Sequence, residues 1–103
     1  MRFMVTATWD TESGNRAIKS GKMVPLIEKI LGDIKPEAVY LTAHRGKRTM
    51  ISIVNVPEAS RMVAIAEPFF LAFDATVEFE PVMTPEDLAK AGADMEKAVK
   101  NYA

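Results

Sequence analysis

The chain has 103 residues, 49% hydrophobic and 26% charged, a balance that predicts one globular core and excludes disorder. Its 13 basic and 14 acidic residues leave a net charge of −1, so no global field recruits nucleic acid or an anionic membrane surface. With no cysteine and one histidine, disulfides, thiolate chemistry and a Cys- or His-rich metal site within one chain are excluded, and no motif asks for a cofactor.

Met1 leads straight into the stretch Phe3 to Trp9, without the basic, apolar and small-residue segments of a signal peptide. No apolar run approaches the ~20 residues needed to span a bilayer, and the expected location is the cytoplasm. Arg2 to Trp9 alternates Phe3, Val5 and Ala7 against Met4, Thr6 and Thr8, the period of a strand, and Asp10-Thr11-Glu12-Ser13-Gly14 reads as the turn that closes it. Met23, Leu26, Ile27, Ile30, Leu31 and Ile34 recur at helical spacing, with Gly32 and Pro36 as stop signals. Pro25 lacks an N–H, so either the helix starts near it or a longer helix from about Asn15 bends there.

Val39 to His44 alternates again, and Arg45-Gly46-Lys47 reads as a short hairpin connection into a strand from Arg48 to Val56. Pro57, with Asn55 near the cap, is expected to open a helix that presents Met62, Ile65, Ala66 and Phe69 on one face. A fourth strand is expected over about residues 76–83. Thr84-Pro85-Glu86-Asp87 then has the form of a capping box with proline in the first turn. The helix it starts carries Leu88, Ala91, Met95, Val99 and Tyr102 as an apolar stripe.

The order β-α-β-β-α-β with right-handed crossovers predicts a single α+β domain over 1–103, ferredoxin-like, with an antiparallel sheet of strand order 4-1-3-2 and a C-terminal helix added. Both crossover helices fall on one face. Phe3, Val5, Ala7, Val39, Leu41, Ala43, Val77 and Phe79 are expected to point to them. Met4, Thr6, Thr8, Tyr40, Thr42, His44, Glu78 and Glu80 point to the bare face. The central third strand holds Met50, Ile51, Ile53, Val54 and Val56, apolar on both sides, so the second face must be covered too. Either the C-terminal helix or a second copy of the chain would do this.

The element order, the opening Arg2-Phe3-Met4-Val5-Thr6-Ala7-Thr8-Trp9, the Arg-Gly-Lys-Arg hairpin and the strand ending Glu78-Phe79-Glu80-Pro81-Val82 resemble the dimeric alpha-beta barrel superfamily. Within it, the similarity is to small bacterial families that are domains of unknown function. The resemblance implies a homodimer whose two sheets face each other as a barrel, with a cleft between sheet and helices in each subunit.

Candidate chemistry is sparse. His44 is the side chain placed to titrate near neutrality, as a proton carrier or simply as an exposed strand end. Trp9 and Asp10 either line a pocket or serve as a core indole and a turn carboxylate. The predicted topology sets Asp10 and His44 at different ends of the sheet, on the order of 20 Å apart, and puts Glu80 at the histidine's end. Arg45, Lys47 and Arg48 form a cationic tip that would hold a phosphate or carboxylate, or merely guard the hairpin edge. Glu78 and Glu80 share a face at period two, and Tyr40 with Thr42 offers hydroxyls to a barrel interior. The seven methionines suit adaptable packing.

Related folds are excluded more firmly. An RNA recognition motif needs stacking aromatics on the third strand, and Arg48 to Ile53 has none. Copper carriers of this topology need Cys-x-x-Cys. An acylphosphatase-like anion loop does not fit the acidic Asp10-Thr11-Glu12. The reading is a homodimer that binds a small, largely apolar molecule in the sheet–helix cleft through Trp9, Tyr40, His44 and Arg48, with no catalytic or metal residue assigned. Its alternatives are a cofactor-independent monooxygenase-like or isomerase-like enzyme, as the superfamily resemblance implies, and a structural or protein-interaction module.

Overall fold

The computed structural model describes residues 1–103. Four strands, β1 (Arg2–Thr8), β2 (Ala38–His44), β3 (Lys47–Asn55) and β4 (Thr76–Pro81), form one antiparallel sheet in the order β2-β3-β1-β4. Read from the other edge this is the expected 4-1-3-2, and the fold is α+β of the ferredoxin-like pattern. Between β1 and β2 run α1 (Thr11–Lys19) and α2 (Met23–Ile34), and α3 (Arg61–Phe73) links β3 to β4. After β4 come α4 (Pro85–Lys90) and α5 (Gly92–Tyr102). No helix is long and apolar enough to cross a membrane.

Asp10 to Gly14 is a helix start, not the expected turn. The Asp10 carboxylate accepts the Ser13 N–H at 2.6 Å, which satisfies one of the four orphan donors of the first turn and makes Asp10 the N-cap of α1. The same composition serves turns and caps, and burial of the next turn decides between them. Ala17, one turn further along the chain, is buried. The chain breaks at Gly21, where φ is +73°, a conformation open to glycine at little cost. Pro25 therefore sits in the first turn of a fresh helix, where its missing N–H leaves no bond unmade. Gly32 lies inside α2, and the stop is the left-handed Lys35 before Pro36.

The β2–β3 hairpin closes through Arg45 (φ +52°) and Gly46 (φ +76°), the two positive-φ residues of a tight two-residue connection. Pro57 does not open α3. Residues 57–60 form turns, and the helix starts at Arg61. It runs through Pro68 to a left-handed Asp74. The C-terminal segment is two helices rather than one, broken at Ala91. The capping box is as expected, with the Asp87 N–H donating to Thr84 Oγ1 at 3.2 Å and the Thr84 N–H to Asp87 Oδ2 at 3.0 Å.

Register decides which side chains meet. Pairing of Ala7 with Met50, Val5 with Ser52 and Phe3 with Val54 sets Met50, Ser52 and Val54 toward the helices and Thr49, Ile51 and Ile53 away from them. The helix side holds the core. Ala7, Trp9, Ala17, Ile30, Met50, Phe69, Phe73 and Ala75 make one cluster, and Val5, Val54, Val56 and Ile65 a second. Partly buried Ile34 and Val77 pack against both. The space between sheet and helices, expected to be a ligand cleft, is therefore filled: Trp9 is 2% exposed and stacks on Phe73 with ring centroids 4.7 Å apart and planes at 20°.

The edge strand β2 departs from expectation. Val39, Leu41 and Ala43 point to the helix side, yet none is buried, and Leu41 is 65% exposed. The helices pack over the neighbouring strands and stop short of this edge. At the other end of the chain, no residue of α4 or α5 is buried. The C-terminal helix does not cover the open face. It projects, and the molecule measures 59 × 27 × 20 Å with a radius of gyration of 17.3 Å, against about 13 Å for a compact chain of this length.

Candidate functional site on the open sheet face

The four residues expected at the site separate into two pairs with the sheet between them. Trp9 and Arg48 lie on the helix side. Arg48 Nη2 donates to Asn15 Oδ1 at 3.0 Å, and its side chain and the Trp9 indole both border the backbone of Gly14. Tyr40 and His44 lie on the open side of β2, four residues apart and both exposed. Tyr40 is 66% exposed.

The open face is organised in rows across the strands. One row pairs Ala38, Ile53, Met4 and Glu80, and the next pairs Tyr40, Ile51, Thr6 and Glu78. The third is made of threonine alone: Thr42 pairs with Thr49, Thr49 with Thr8, and Thr8 with Thr76. The Oγ1 atoms of Thr8 and Thr49 lie 3.2 Å apart, a hydroxyl–hydroxyl hydrogen bond. The face is thus apolar in its middle and hydroxylic toward one end, with glutamates along β4.

Beyond the threonine row is a cavity of about 380 Å³ lined by Thr8, His44, Arg45, Lys47, Thr76 and Glu78. Every lining side chain is polar. Three are basic groups from the hairpin, one is a carboxylate and two are hydroxyls. This corrects the expected placement of the acids. Since β1 and β2 both run antiparallel to β3, they run parallel to each other. Asp10 and His44 are therefore at the same end of the sheet, two strands apart, or on the order of 10 Å. Glu80 lies at the far end, and Glu78 is the acid that shares the histidine's cavity.

Asp10 does not serve this cavity as a free base, because it caps α1. The Ser13 backbone N–H holds its carboxyl below the usual range, helped by the Ser13 hydroxyl and by Arg16 and Lys47 and opposed by partial desolvation. Ser13 Oγ also reaches Asp74 Oδ2 at 3.2 Å, and Arg16 Nη2 donates to Ser13 Oγ at 3.2 Å, which ties the start of α1 to the end of α3. Ser13, Arg16 and Asp74 line a separate cavity of about 300 Å³ with α2.

A larger cavity, about 670 Å³, opens at the other end of the sheet among Met1, Arg2, Glu37, Asn55, Pro81, Val82, Met83 and Asp87. Its cation is already engaged: Arg2 Nε donates to both oxygens of Glu37 at 3.0 and 3.1 Å. The sequence alone points to His44, the cationic tip and the Glu78/Glu80 pair, but not to the threonine row or to Glu78 as the acid that shares the His44 cavity. The signal was present in the antiparallel register, which fixes which residues share a row once strand directions are assigned correctly.

No family model and no curated protein matches the chain. Among solved structures, it is similar to a formyltetrahydrofolate deformylase from Pseudomonas putida KT2440, with 17% identity and a TM-score of 0.49. The likeness covers 80% of this chain and 29% of that one.

Proposed function

We propose that the protein is a homodimer that binds a small, largely apolar molecule with an anionic oxygen head group on the open face of its sheet. The observation that carries this reading is the division of that uncovered face. Met4, Ile51, Ile53 and Tyr40 offer an apolar bed, and His44, Arg45 and Lys47, with the exposed hydroxyls of Thr42 and Thr76, offer donors to an oxyanion. Two copies facing each other supply the cover that the chain's own C-terminal helix does not.

The face is also complementary to itself. Glu78 and Glu80 make the β4 side acidic, while the hairpin beside β2 carries Arg45 and Lys47. A twofold axis parallel to the strands sets β2 of one copy over β4 of the other, so opposite charges meet and the glutamates of the two copies stay apart. The apolar centres then enclose a chamber, as the dimeric alpha-beta barrel resemblance implies. The ligand moves from the sheet–helix cleft to this chamber because the cleft is packed.

Light scattering coupled to size exclusion, then thermal unfolding with decanoate and decanol, tests the reading. A mass near twice 11.4 kDa and a melting temperature raised by decanoate more than by decanol support it, provided that Lys47→Gln or His44→Gln narrows the difference. A monomer, or a dimer that millimolar amounts of neither compound stabilise, overturns it. A second reading, proton transfer by His44, draws on the cavity it shares with Glu78, and requires that His44→Gln abolish turnover without loss of binding.

A further inference from the structure

Granted the homodimer proposed above, on which this rests, we infer that α5 is an exchanged arm. Its apolar stripe packs against the second copy of the chain and not against its own domain.

The stripe is Met95, Val99 and Tyr102, continued back along α4 by Leu88. All four are exposed, Tyr102 at 89%. Their spacing puts them on one side of the helix, with Lys97, Lys100 and Asn101 turned away. A helix of 11 residues is below the ~12–15 at which even good helix formers hold together unaided in water. α5 has no buried residue and no side-chain cap at its start, so its own contacts do not account for its stability. A surface outside its domain must cover the stripe.

Three observations choose a second copy as that surface. The elongation of the molecule shows that the arm leads away from its own core. Its root lies at the sheet: the Val82 N–H donates to the Arg2 carbonyl at 3.1 Å, which fastens the segment before α4 to β1, beside the face that the dimer covers. The third is area. Four strands at ~4.8 Å spacing and six residues at ~3.3 Å give a flat footprint of about 400 Å² per copy, a small face, even with the relief of its side chains, beside the ~800 Å² of accessible surface per partner that a stable interface buries. Two arms, each laid on the opposite subunit, make up the deficit from apolar surface that is otherwise bare.

The test is Met95→Glu/Val99→Glu in the full chain, compared with wild type by light scattering over a dilution series, with Lys97→Gln as a control on the opposite side of α5. The single tryptophan, Trp9, is remote from α5 and reports through its emission whether the core is intact. The expected result is a dissociation constant raised roughly tenfold or more in the double variant alone, with tryptophan emission unchanged. A wild-type dimer whose double variant dissociates no more readily overturns the arm and leaves the homodimer standing. A monomeric wild type removes both.

Discussion

The guanidinium of Arg48 occupies the space that a side chain at position 14 would need. A β-carbon on Gly14 would land on Arg48 Nη1 and stand 3.1 Å from Trp9 Cδ1. The lack of a side chain there lets the first turn of α1 close over the indole at the end of β1. Gly14→Ala moves the flexible end of Arg48 and recovers up to about 1 kcal/mol of helix propensity, so its net effect is small. Gly14→Val adds branches toward a packed indole and is expected to cost about 1–3 kcal/mol. Urea unfolding of the two variants checks the contrast, and a Val variant as stable as the Ala variant would contradict it.

Phe73→Ala removes the ring on which Trp9 stacks and leaves a hole in the larger core cluster. The expected cost is about 3–5 kcal/mol. With one tryptophan in the chain, emission reads the site directly and should shift to the red as water reaches the indole. Unchanged emission would mean that the neighbouring side chains close the gap.

Ser52 lies on the helix side of β3 between Val5 and Val39. It is 1% exposed, and its hydroxyl has no hydrogen-bond partner. A buried hydroxyl left unpaired costs about 1–3 kcal/mol, so Ser52→Ala is expected to raise the melting temperature. A lower melting temperature would show that the hydroxyl is satisfied in solution.

Asp10 caps α1 and Asp87 closes the capping box of α4, and the hydrogen bonds they accept from the Ser13 and Thr84 N–H groups depress the two carboxyls. A carboxyl with a depressed folded pKa adds stability that is present in full above its unfolded value, about 3.9 for Asp, and is lost as pH falls through the folded value. Asp10→Asn keeps a side chain that accepts the Ser13 N–H but does not titrate. Wild type should therefore lose stability relative to this variant between about pH 5 and pH 2. Parallel curves would remove the ionised cap from the account.

The strands and the division of residues between two faces were legible because a period of two residues needs no tertiary information, and the strand order because right-handed crossovers leave few topologies open. Among the features that were not, three bear on the site. The start of α1 reads as a turn in the sequence, because Asp-Thr-Glu-Ser-Gly is turn chemistry until the Asp10 carboxylate meets the Ser13 N–H. The exposure of Leu41 was hidden because alternation tells which side a residue takes, not whether a helix reaches that far. The company of His44 was misassigned through the direction of β1, which placed Asp10 at the wrong end and Glu80 in the position that Glu78 holds. That β2 pairs with β3 was readable, but what lies over it was not.

The outer edge of β2 is also unguarded. Ala38 to His44 contains no lysine, acid or proline, the residues that discourage a foreign strand from adding itself to a sheet. Its apolar side chains on both faces would reward such an addition. This strand is where unfolding under stress would pass into fibrous or amorphous association. Leu41→Lys, which puts a charge on the bare flank without entering the core, should delay the onset of turbidity on heating while leaving the unfolding midpoint unchanged. The resistance of the protein to association on heating would then rest on a strand of seven residues that is paired along its whole length on one side and open on the other.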